Sequence, residues 1–158
     1  ASALGDDESA LGLYLESHAL ALESGNQLNA AIAMENLAVL TRRRGDERTA
    51  QLRFREALLL YRAIDDRQGI GACLSGLAAI AAAGGDHDEA ALLLGAAAAL
   101  RDPSDDAVDA DDTAQTLRAV IGETAFERSW QSGHRMPLAD VLERVVERAH
   151  ALERPRVA

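Results

Sequence analysis

Residues 45–60 read GDERTAQLRFREALLL, and the same frame stands at 5–20 as GDDESALGLYLESHAL and at 85–100 as GDHDEAALLLGAAAAL. A Gly-Asp pair opens each copy, at Gly5-Asp6, Gly45-Asp46 and Gly85-Asp86. Five residues after the Gly comes Ala10, Ala50 or Ala90, and four further on stands Tyr14, Phe54 or Leu94. The small residues Ser17, Ala57 and Ala97 follow, then Leu20, Leu60 and Leu100. A fixed period of forty residues marks a repeat array in which each unit buries its apolar face only against its neighbours. Arrays of helix pairs serve more often as surfaces for partners than as reaction vessels.

Working outward from these frames, each repeat divides into two helices. Leu28, Ile32, Leu37 and Leu40 recur at helical spacing between Gln27 and Arg44. Gly45 stops that helix and Asp46 caps the next. The second helix of the pair is predicted from Glu47 to Ile64, with Leu52, Phe54, Leu58, Leu59 and Tyr61 as its apolar positions, and Asp65-Asp66 breaks it. The next pair is predicted over Arg67–Ala83 and Asp88–Leu100, joined by Gly84-Gly85. Ahead of them, the first repeat shows only a second helix, about Asp7 to Ser24. Its first helix would lie before Ala1, and the chain lacks an initiator Met, so it is expected to be a fragment of a longer repeat protein. Without that helix, Leu11, Tyr14 and Leu15 should lack cover, and this end offers a surface through which two copies pair. Ala38 and Ala78 should face Ala50/Ala57 and Ala90/Ala97, small residues that let helix axes come close.

Composition agrees with an all-α chain. It is 48% hydrophobic but 3% aromatic, so its core must be built from Ala and Leu, which favour helix. All sixteen basic residues are Arg, and the net charge is −10. An acidic chain of this kind is a poor ligand for nucleic acid. No apolar run has the length of a membrane span, and no start segment reads as a signal peptide. The single cysteine, Cys73, excludes an internal disulfide and should be a buried, inert thiol. A reducing cytoplasm fits this usage.

The pattern Asn36-Leu37-Ala38, Gly45-Asp46, Ala50, Phe54, Ala57, repeated as Gly76-Leu77-Ala78, Gly85-Asp86, Ala90, Leu94, Ala97, resembles the tetratricopeptide repeat family. The family's usual period is 34 residues and it usually carries a Pro at the repeat end; this chain departs from both, and HEAT-type repeats share the longer period. The resemblance implies a right-handed α-solenoid of antiparallel helix pairs over residues 1–101. Residues 102–112 then read as an acidic linker and 113–153 as a helical C-terminal cap. In the linker, Asp109, Asp111 or Asp112 would sit at a helix N-terminus. A calcium loop there would need a Gly at its sixth position and a Glu at its twelfth, and the stretch has neither. The cap is predicted as helices over Thr113–Ile121 and Glu123–Gln131, then one starting at Pro137. Phe126 and Trp130 form an expected core contact in the cap. Leu138, Val141, Leu142, Val145, Val146 and Ala149 form the last helix's apolar face.

Residues 90–97 (AALLLGAA), Ile121–Phe126, Trp130, Gly133 and Met136 together carry a narrower resemblance. They are similar to the C-terminal repeat region of large bacterial signalling ATPase regulators, common in actinobacteria, many with a LuxR-type DNA-binding domain and some with a cyclase or kinase domain. Pro137 departs from the family's usual Ser or Thr cap, and the acidic linker is unlike the usual form. The resemblance implies a regulatory or protein-interaction module of such a parent. Two alternatives remain: a stand-alone adaptor or scaffold, and the regulatory part of a cyclase or kinase.

No catalytic or metal constellation stands in the sequence. His18, His87, His134 and His150 have no ligand spacing and there is no Cys pair. The acids of Asp86-His87-Asp88-Glu89 suit a helix start. Gly69-x-Gly71 and Gly84-Gly85 lack the Gly-Lys-Ser/Thr of a phosphate loop, and no Ser stands in a nucleophile elbow. The chain is therefore expected to be non-catalytic, with no cofactor and no metal. Its candidate partner-binding residues are Glu35, Asn36, Val39, Arg42 and Arg43 on one first helix, with Ser75 and Ala79 on the next, all on the concave face. Arg42 and Arg43 stabilise a helix C-terminus in any case, and on that face they also suit an acidic group of a bound protein or peptide. The same repeats would otherwise pack on other domains of their own chain.

Overall fold

The computed structural model describes residues 3–102, 104 and 108–153, with side chains placed for 5–102, 104 and 110–148. Ala1, Pro103 and the side chains of Asp109, Ala149 and His150 lie outside the described residues. The described residues are all-helical: α1 (Ala3–Glu23), α2 (Gln27–Arg43), α3 (Glu47–Ala63), α4 (Arg67–Ala83), α5 (His87–Leu100), α6 (Val108–Ile121), α7 (Glu123–Arg135) and α8 (Leu138–Glu153). They contain no strand. The chain divides into two compact units, residues 1–69 and 70–158, with the division inside α4.

Helices α2, α3, α4 and α5 start at residues 27, 47, 67 and 87, so the true step is twenty residues, one helix and one turn. The turn recurs four times with one hydrogen-bond pattern. The residue at 25, 45, 65 or 85 has positive φ: Gly25 at 73°, Gly45 at 89°, Asp65 at 56° and Gly85 at 84°. The N–H of Gly45 donates to Arg42 O at 2.9 Å, and that of Asp46 to Thr41 O at 3.2 Å. The same pair of bonds closes the other three turns, with Asn26 donating to Ala21 O, Asp66 to Tyr61 O and Asp86 to Ala81 O. This is the Schellman closure, which satisfies carbonyls a helix end leaves open. The next residue then caps the following helix. Asn26, Asp46 and Asp66 accept the N–H of Asn29, Thr49 and Gly69 at 3.1, 3.1 and 2.9 Å. Asp65-Asp66 is thus a copy of the Gly-Asp turn rather than a simple break.

In the first unit α2 packs on both α1 and α3. Ala30, Ala31, Leu37, Ala38, Ala50, Ala57 and Leu58 are completely buried there, with Phe54 and Tyr61 nearly so. His18 of α1 is also buried; its Nδ1 lies 3.0 Å from Ala30 O, and its Nε2 lies 3.7 Å from Glu56 Oε1. The uncovered leucines of α1 are Leu13, Leu15, Leu20 and Leu22, whereas Leu11 and Tyr14 are half-buried.

The second unit is organised on α5. Every residue from Glu89 through Ala97 is buried, and from Ala90 on the run is apolar on all sides. Its main partner is α7, with α6 and α8 beside it. A Cβ on Gly95 would overlap the Trp130 carbonyl, and one on Gly133 would overlap the Leu92 carbonyl, so the two backbones touch where they cross. Phe126 is fully buried with the Arg118 guanidinium 4.5 Å from its ring centre, as expected of a core residue. Trp130 is not a core residue; it is half-buried and stacks on His134 at 4.7 Å between ring centres. Helix α6 starts at Val108, within the stretch expected to be linker, and α7 runs on to Arg135. Cys73 is buried.

Replacing Gly133 with Ala should force α5 and α7 apart and cost about 1–3 kcal/mol, despite Ala's better helix propensity. Asp65→Gly should act the other way and add about 0.5–1 kcal/mol, because Asp65 holds a backbone conformation natural to Gly. Urea unfolding of both variants against the wild type checks the two signs.

Candidate interaction face on helix α2

Helix α2 buries one side and leaves a stripe open on the other. Its buried residues are Ala30, Ala31, Ala33, Met34, Leu37, Ala38, Leu40 and Thr41. Leu28, Ile32 and Val39 point away and are 45, 41 and 38% exposed. At 100° per residue, positions 28, 32, 35, 36, 39, 42 and 43 share this side. The stripe is about 22 Å long, from fifteen rises of 1.5 Å. Glu35, Asn36 and Arg42 on it are half-buried.

The five residues expected on this helix therefore lie along one stripe. Ser75 and Ala79 are half-buried residues of α4, in the second unit, four apart on one side of that helix. Leu28 and Ile32 are additions: the sequence shows them at helical spacing with Leu37 and Leu40, and the structure puts them on the side opposite those two. The signal was present, since 28, 32 and 39 follow steps of four and seven that avoid the buried positions.

The polar members of the stripe are held. Tyr61 Oη donates to Glu35 Oε2 at 2.5 Å, joining α3 to α2. The Tyr61 ring lies on the bare Cα of Gly69, where a Cβ would overlap it. Burial pushes the Glu35 carboxyl above its ordinary value; the Tyr61 hydrogen bond opposes this and the Asp66 carboxylate adds to it. Arg43 lies 3.6 Å from Asp7, and Arg44 lies 3.6 Å from Glu8. With the Arg43 side chain 63% exposed, such a pair contributes only about 0–1 kcal/mol. Thr41 beneath the stripe donates to Leu37 O at 2.6 Å and accepts from Arg53 at 2.5 Å.

Chemically, this arrangement suits non-covalent recognition: apolar anchor points along a helix with cations at one end. Among the described residues no group of His, Cys, Asp or Glu is placed to hold a metal ion, and no helix is long and apolar enough to cross a membrane.

The Glu35 environment carries a pH signature. Folding favours its neutral form, so the associated stability is whole below pH 4.5 and is lost as pH rises through the raised folded value. Glu35→Gln keeps an acceptor for Tyr61 and removes the ionisation. The melting temperature of the wild type relative to this variant should fall as pH rises above 4.5. Parallel curves would contradict the assigned cause.

Compared with protein-family models, with curated proteins and with solved structures, the chain matches none.

Proposed function

We propose that this chain is a non-catalytic protein-interaction and regulatory module that holds a protein or peptide along α2. Its helices form a tetratricopeptide-like solenoid of antiparallel pairs, with the C-terminal helices as a cap, and it serves a larger cytoplasmic bacterial signalling ATPase or transcription regulator. The observation that carries the interaction reading is the open stripe Leu28, Ile32, Val39 on a helix already buried on its other side. Exposed apolar residues scattered singly need no explanation, but three in register beside Arg42 and Arg43 make a docking line. The preferred ligand is an amphipathic helix or extended peptide with an acidic group near Arg43. Its binding would favour one of two states of the parent protein.

The regulator reading is supported by the residues that carry the narrower resemblance. Gly95 and Gly133 stand at the α5–α7 crossing, so that motif has a packing reason to occur as a set. The exposed Leu13, Leu15, Leu20 and Leu22 favour a second use of the first unit, self-pairing or packing on another domain of the same chain.

Two measurements test the proposal. Antibody to this chain, applied to a lysate of the source cell, should reveal a native product several times longer; a band of this chain's own length leaves the adaptor reading. In binding assays with a partner captured from the same lysate on the immobilised chain, Arg43→Glu and Val39→Asp should each weaken affinity about tenfold or more, about 1.4 kcal/mol. As surface changes they should leave stability within about 0.5 kcal/mol. Unchanged affinity in both variants overturns the α2 site.

A further inference from the structure

The four equivalent turns supply their own control. Asn26, Asp46 and Asp66 each cap the helix that follows, through a side-chain bond to the N–H three residues on. Asp86 holds the same place with nearly the same backbone, φ −89° and ψ 70° against −88° and 76° at Asp46, and makes no such bond. Its carboxylate pairs instead with Arg148 of α8. One turn on, the Glu89 side chain is 3% exposed and accepts from Arg144 Nε at 2.8 and 3.1 Å. A second Arg144 nitrogen lies 2.6 Å from Glu89, and Arg148 lies 3.4 Å from it.

The contact is asymmetric. The acid Glu89 is closed off, while the Arg144 and Arg148 side chains remain 44 and 43% open to water. Beside them on α8, Val141, Leu142 and Val145 are buried. The helix seated here thus displays a definite pattern: apolar at 141, 142 and 145, arginine at 144 and 148. The Asp86–Arg148 pair, half-exposed on both sides, is weak and screened by salt, whereas the Arg144 pair with the enclosed Glu89 is the stronger hold. With α8 away, Asp86 would be able to make the bond its three counterparts make, a cap to the Glu89 N–H, which would support the end of α5.

We propose that the N-terminal end of α5, with Asp86 and Glu89, is a docking site for a helix carrying two arginines four residues apart beside buried valine and leucine. The chain's own α8 occupies this site, and a partner helix of the same chemistry replaces it. This site is separate from the α2 stripe and does not depend on that reading.

The test uses the full chain and a fluorescent synthetic peptide of residues 137–153. Arg144→Glu with Arg148→Glu weakens the internal occupant without touching the site. The peptide should bind this double variant about tenfold tighter than the wild type, following the rise in the open fraction. A peptide bearing the same two Glu substitutions should not bind. Equal binding of the native peptide to both proteins, with the variant still helical and melting cooperatively, overturns the proposal. Should the variant fail to fold, hydrogen exchange on the wild type decides. Amides of α8 should exchange several-fold faster at about 1 M salt than at about 0.1 M, as the screening length falls from about 10 to 3 Å. The amides of α5 and α7 should hold. Exchange of α8 in step with α5 at both salts would mean the site does not open, and would sink the idea.

Discussion

The first five helices depend on one backbone requirement, a left-handed residue every twenty positions. At 25, 45, 65 and 85 the chain must adopt positive φ, and it meets this with Gly three times and Asp once. That single conformation lets two N–H groups reach back to the open carbonyls of the helix just ended. It also sets the next residue as an N-cap. Three residues thus end one helix and start another, leaving seventeen for each of α2, α3 and α4. Equal length and equal turns keep the apolar positions in step, which is why the repeat is visible at all.

Given that frame, close approach rather than bulk builds the core. A chain with 3% aromatic residues cannot fill space with large side chains. It reaches interior density by bringing backbones together at Ala and Gly. In the first unit the completely buried positions include Ala30, Ala31, Ala38, Ala50 and Ala57. In the second, Gly95 and Gly133 carry the principle to its limit, each lying against a carbonyl of the opposing helix. Small residues in such places are as demanding as large ones, since any added atom separates the helices and forfeits many contacts at once.

This explains what could be read from the chain alone. The helices α2 to α5 were legible to within a residue or so, because Gly-Asp punctuation and apolar spacing are local signals. The start of α6 at Val108 was not, because a run of aspartates looks like linker whether or not it is helical. Which side of α2 carries Leu28 and Ile32 was not legible either, since leucine identity says nothing about direction when a helix carries apolar residues on both sides. The fate of Trp130 was equally hidden: its spacing from Phe126 suggests a shared contact, yet only Phe126 enters the core. The diversion of Asp86 from cap to Arg148 joins residues 62 apart and leaves no local mark.

The candidate face follows from the same economy. Helix α2 buries Ala, Met, Leu and Thr on one side, while Leu28, Ile32 and Val39 keep 45, 41 and 38% of their surface open on the other. The open part of these apolar groups is available for burial by something else. Charge then supplies direction. Helix α1 brings acids and no Arg, whereas the last turn of α2 brings Arg42 and Arg43. The existing Arg43–Asp7 and Arg44–Glu8 pairs show which sign of charge that end of α2 accepts. An acidic ligand would compete with α1 for the same cations, so its affinity must come chiefly from covering the apolar stripe, with the arginines fixing orientation and speeding encounter.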